Sequence, residues 1–172
     1  MNDIEFRTEL ENITKCRSER NQKRLMENLS SKYPYSIKKQ EDKTVTQSPL
    51  EHNCFNYALN LSRRLLLNEE LKGRDLFPNG SFVRFCIQRT YLAEIPFEEV
   101  TNNDLIVYFD SDCQPKHAGR MRNMRIVSKW GSGNLWEHAT WEVPISYGNS
   151  VRYFGALEEK EAIKHYLEFL NK

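Results

Sequence analysis

Asn103-Asp104-Leu105-Ile106-Val107-Tyr108-Phe109 is the stretch whose reading decides the fold. It ends in a continuous apolar run of β-formers, which reads as a buried strand rather than one with a wet face. A turn signal follows in Asp110-Ser111-Asp112 and Pro115. Beyond it come three more strand candidates, 116–121, 125–130 and 135–143, the last two split by Gly131-Ser132-Gly133-Asn134. Tyr147-Gly148-Asn149 marks another turn before a short strand at 151–154. Upstream, Phe82-Val83-Arg84-Phe85 fits either a strand or the start of a short helix.

The flanks read as helical. Residues 3–29 carry Leu10, Ile13, Leu25, Met26 and Leu29 around a charged middle, which suits one long helix or two shorter ones. Residues 30–50, with Ser30-Ser31, Pro34 and Pro49, break the periodicity and read as a loop or linker. Asn53 is a good N-cap, and Cys54, Ala58, Leu61 and Leu65 then fall on one helical face with Phe55, Leu59 and Leu66 beside it. A closing helix over 158–170 turns Ile163, Tyr166, Leu167 and Leu170 inward. Helices first and short antiparallel strands after them define an α+β domain. Residues 1–46 are expected as a helical extension and linker, and 47–172 as the main domain.

Composition excludes several classes. With 39% hydrophobic and 28% charged residues over 172 positions, the chain suits one folded domain and neither disorder nor a membrane protein. Met1-Asn2-Asp3-Ile4-Glu5 carries acids where a secretory signal carries bases, so the expectation is a cytoplasmic protein or one exported without a signal peptide. Cys16, Cys54, Cys86 and Cys113 are far apart and expected to be free thiols. The net charge of +1 gives no reason to expect nucleic acid as a partner. Lys116, Arg120, Arg122, Arg125 and Lys129 nonetheless gather around His117, a cluster that would favour an anionic substrate. No Gly-x-x-x-x-Gly-Lys loop and no Gly-x-Ser-x-Gly elbow is present, and no cofactor is expected.

Chemistry centres on Cys54 and His117. A thiol in the first turn of a helix gains thiolate character, and a histidine brought to it through space would serve as its base. That pair suits a cysteine hydrolase or acyl-transferase. The rival readings are a buried structural cysteine and a zinc site built from His52, Cys54, Cys113 and His117, whose spacings are those of no common zinc module. A binding module that keeps the fold without the chemistry is a further alternative.

Two stretches resemble the papain-like cysteine hydrolase superfamily in its NlpC-type and CHAP branches. Asn53-Cys54-Phe55-Asn56-Tyr57-Ala58-Leu59 is similar to the family's nucleophile helix, and 103–109 followed by His117-Ala118-Gly119 is similar to its Gly-Asp-Leu-Val-Phe-Phe … His-Val-Gly pattern. The likeness covers roughly 47–155. It implies a nucleophile helix packed on a small antiparallel sheet, Cys54 as nucleophile and His117 as base. It also implies a polar residue on the following strand to orient the imidazole. That strand holds Ser128 and Lys129, a departure from the pattern, so Glu137, Asn134 or His138 would have to reach in, with His138 favoured. Gln47, upstream of Cys54, would be the oxyanion donor beside the Cys54 N–H. The resemblance implies hydrolysis of an amide or peptide bond in a peptide or protein, with peptidoglycan peptides as the first substrate and deamidation or acyl transfer open to the same machinery.

Overall fold

The computed structural model describes residues 3–16, 18–40, 53–61, 78–130 and 134–172. Its centre is a seven-stranded antiparallel sheet in the order β1-β6-β5-β4-β3-β7-β2. The strands are β1 (Lys38–Gln40), β2 (Glu94–Ile95), β3 (Leu105–Phe109), β4 (Pro115–Arg122), β5 (Arg125–Lys129), β6 (Leu135–His138) and β7 (Ser150–Phe154). The helices are α1 (Asp3–Thr14), α2 (Glu19–Lys32), α3 (Cys54–Ala58), α4 (Gly80–Gln88) and α5 (Glu159–Leu170). The α+β class expected from the pattern is therefore what the chain adopts.

β3 explains the layering. Successive side chains of a strand point to opposite faces. Leu105, Val107 and Phe109 join Phe55, Ala58, Phe82, Phe85, Ala118 and Tyr166 under α3, α4 and α5. Ile106 and Tyr108 join Phe6, Leu10, Met26, Leu29, Met121, Ile126, Trp130 and Trp136 under α1 and α2. Helices thus cover both faces, which is why all five residues of β3 are buried.

Several expectations shift in detail. The N-terminal helical stretch is two helices, broken where the Ser18 side chain caps α2 by accepting the Asn21 N–H. Residues 3–40 form one layer of the body rather than an appendage: α2 runs on to Lys32, and β1, inside the expected loop, pairs with β6 at the sheet edge. The ambiguous 82–85 lies in a helix, whose start is set by Asn79 accepting the N–H groups of Ser81 and Phe82. The helix from Cys54 ends early, with Asn60 in the left-handed region at φ 61°; Leu65 and Leu66 lie outside the described residues. No described helix is long and apolar enough to cross a membrane.

Candidate active site

Asn53 fixes the start of α3 from both ends of its amide. Its oxygen accepts the Asn56 N–H at 2.9 Å and its nitrogen donates to the Pro78 carbonyl at 2.7 Å. Phe55 and Ala58 then bury against the sheet, and Cys54, half-buried, is held over β4.

The place where the sulfur lands is a break in the sheet. β4 and β5 pair from Arg122↔Arg125 to Arg120↔Val127 and go no further. Continued in register, Ala118 would face Lys129; instead, the Ala118 N–H lies near enough to the Cys54 sulfur to favour its thiolate. The thiol sits on the side of β4 that the β5 partner has left. The N–H groups of Cys54 and Phe55 also favour the thiolate, as does the charge of Lys129. Burial outweighs all of them and pushes the thiol up to about 11, so Cys54 rests protonated.

His117 immediately precedes Ala118. The N–H that meets the sulfur belongs to the peptide joining these two residues, which puts the His117 Cα roughly 7 Å or less from the sulfur. The backbone therefore brings the two residues together. Their side chains diverge: Cys54 packs with the Ala118 face, whereas the imidazole lies on the Tyr108 face and makes no hydrogen bond to the thiol. It stacks on Tyr147 at 3.9 Å between ring centres and leans on Tyr108 at 5.6 Å. His117 is 1% exposed, and its Nε2 has no hydrogen-bond partner among the described residues. Burial first, and the neighbouring His138 second, hold its pKa well below the usual histidine value, so the ring is neutral at pH 7.

Tyr147 is pinned there by α1. Arg7 donates from Nε to the Val143 carbonyl at 3.0 Å and from Nη2 to the Gly148 carbonyl at 2.6 Å. Glu11 accepts both the backbone N–H and the hydroxyl of Ser146, at 3.0 and 2.6 Å. Gly148 follows at φ 128°, so close to β3 that an added Cβ would lie 2.5 Å from the Phe109 carbonyl oxygen.

The expected orienting residues are otherwise engaged. His138 Nδ1 donates to the Ala139 carbonyl at 2.8 Å, which leaves Nε2 to accept the Ser128 hydroxyl at 2.7 Å. The Trp130 indole in turn donates to Ser128 at 2.8 Å. With both nitrogens committed, His138 has none to offer His117; burial pulls its pKa down to about 4. Glu137 faces away, ion-paired with Arg125 at 3.2 Å and accepting from Gln40. Asn134 gives its carbonyl to the Trp130 N–H.

Gln47 and His52 lie outside the described residues. The zinc set does not assemble from the rest: Cys113 is exposed, His117 is sealed among tyrosines, and no group of three or more His, Cys, Asp or Glu residues fit to hold a metal occurs among the described residues.

One participant is only faintly marked in the sequence and another is invisible there. Tyr147, which reaches His117 from thirty residues downstream, is one of several aromatics (Trp130, Trp136, Trp141, Tyr147 and Tyr153) any of which could line a groove beside His117. Ala118 acts through its backbone, which no side-chain pattern reports. No protein-family model matches the chain, and no curated protein or solved structure matches it at a significant level.

Proposed function

We propose that the chain is a cysteine hydrolase of papain-like type, acting on an amide bond in a peptide or protein. The observation that carries this reading is the Cys54 thiol set beside the Ala118 N–H, one residue from an imidazole whose Nε2 is buried and has no hydrogen-bond partner among the described residues. A buried nitrogen without a partner costs free energy, and such groups gather where a structure keeps a reactive position open.

The resting state is a neutral pair, thiol and imidazole. Under this reading the imidazole swings off Tyr147 toward the break in the sheet, and Nε2 takes the thiol proton as the sulfur attacks the carbonyl. The Cys54 N–H supplies one donor to the tetrahedral oxyanion. Collapse expels the amine, which leaves with the proton held on His117, and a thioester remains on Cys54. Water then adds, giving one proton to His117, which passes it to the departing sulfur, so that the acid is released and the thiol and neutral imidazole are restored. An amine in place of water would make the protein an acyl-transferase, and a glutamine side chain as substrate a deamidase.

The test is per-cysteine alkylation by iodoacetamide at pH 7 in the wild type and His117→Asn, read by mass spectrometry. Cys54 modification at least about tenfold slower in the variant is expected, since a general base contributes about 10²–10⁴. Equal Cys54 rates in the two proteins, or a Cys54 that stays unmodified while exposed Cys113 reacts, would make Cys54 structural.

A further inference from the structure

The basic cluster around His117 divides once its partners are assigned. Lys116 pairs with Asp110 at 3.1 Å, and Arg125 pairs with Glu137 and Glu142 at 3.2 and 3.5 Å. Arg120 is different. It points to the α3 face, where its Nε donates to the Ala58 carbonyl at 3.0 Å and its guanidinium lies 5.7 Å from the centre of the Tyr57 ring. No acidic group among the described residues reaches it. Two other guanidiniums are matched: Arg7 holds three carbonyls and Arg152 has Glu94. Taking a cation out of water is unfavourable unless an anion or several acceptors replace the lost hydration, and the burial that draws Arg120 below its usual value reports that loss.

Arg120 opens onto a polar cleft of about 360 Å³. Arg122, exposed and held among the described residues only by a 3.5 Å contact to Gln40, forms part of its wall with Tyr57 and Asn103. Asn102 and Asn123 complete the rim, tied to each other by the Asn123 N–H bonding to Asn102 Oδ1 at 2.7 Å. The rim is therefore braced without drawing on either arginine. Two guanidiniums with donors to spare match an oxyanion in charge and in the fork geometry that binds its oxygens in pairs.

We propose that this cleft binds an oxyanion, the carboxylate or phosphate group of a small ligand, gripped by Arg120 and Arg122. The assignment is independent of the thiol chemistry, because the cleft lies at the far end of α3 from Cys54.

Isothermal titration of the full chain at fixed ionic strength tests it, with glutarate and inorganic phosphate as probes and chloride as control. Saturable binding of at least one probe is expected, weakened at least about tenfold in Arg120→Gln, the size expected for a charge-assisted hydrogen bond. Arg122 is exposed, so Arg122→Gln keeps the test valid where Arg120→Gln fails to fold; there too binding weakens. Tighter glutarate assigns the site to a carboxylate, and tighter phosphate to a phosphoryl group. Cys54→Ser is expected to bind like the wild type, so this site and the thiol reading fail separately. Heats no larger than those of chloride, or binding unchanged in the arginine variants, would overturn the proposal.

Discussion

His117 and His138 are both buried on the same face of one sheet, and both are neutral, yet they are built in opposite ways. His138 spends each ring nitrogen on a fixed partner, one on its neighbour's carbonyl and one on the Ser128 hydroxyl, with Trp130 closing the chain of donors. His117 spends its ring on stacking and leaves Nε2 empty. A satisfied imidazole contributes to stability, whereas an unsatisfied one detracts from it and stays available. Burial alone does not separate the two; the inventory of partners does.

The sharpest way to break that comparison is to give each site a ring without nitrogens. His138→Phe strands the Ser128 hydroxyl and is expected to destabilise the fold by about 3–4 kcal/mol, the size of a broken buried network plus repacking. His117→Phe keeps the stack and removes an unpaired nitrogen, so urea unfolding is expected to shift by less than about 1 kcal/mol while any thiol-dependent activity is lost. Equal losses of stability would mean that Nε2 of His117 has a partner after all.

Acid provides the next largest effect. The folded pKa of His138, about 4, lies below its unfolded value of 6.5, so the unfolded chain binds the proton first as pH falls. Stability from this group is full above pH 6.5 and lost on the way down to pH 4. The drop is about 3 kcal/mol in order of magnitude, and His117, shifted the same way, adds to it. In His138→Gln the fall across this window is expected to be shallower, as chemical denaturation at stepped pH would show. An unchanged pH profile would place the titration elsewhere.

Smaller effects probe how Tyr147 is held on His117. Gly148→Ala combines a left-handed backbone with a contact to Phe109, and about 2 kcal/mol is the expected loss in thermal or denaturant unfolding. Arg7→Ala removes the carbonyl clamp from α1, for an expected loss of about 1 kcal/mol. In that variant, faster hydrogen exchange over 143–148 is expected, with faster alkylation of Cys54 as His117 is freed. Slower alkylation would mean that the Tyr147 stack positions the base rather than storing it.

Much of this architecture was legible in the sequence. The apolar run of β3 announced a strand covered on both sides, and Asn53 announced the start of α3 beside Cys54. Strands of three and two residues, β1 and β2, carry no alternation to read, and the pairing with β6 and β7 that defines them is non-local. At the site, residue types named the reactive groups but not their faces. His117 and Ala118 point oppositely because a strand alternates, so the histidine that abuts the cysteine along the backbone turns its ring away. The Arg120 cleft was half-visible: the basic cluster could be counted from sequence, but which members lack acids could not.

The clamp from Arg7 to Gly148 spans 141 positions of the chain and also governs the order of assembly. During synthesis α1 emerges well before the carbonyls that it must hold, at Val143 and Gly148. Contacts between such distant positions carry a heavy loop-closure penalty and raise contact order, which slows folding. Until residue 148 is out, the apolar face of α1 has neither its clamp nor the finished sheet to rest on. A helix made ahead of its anchor is thus docked late, and its greasy side needs shielding on the nascent chain in the meantime.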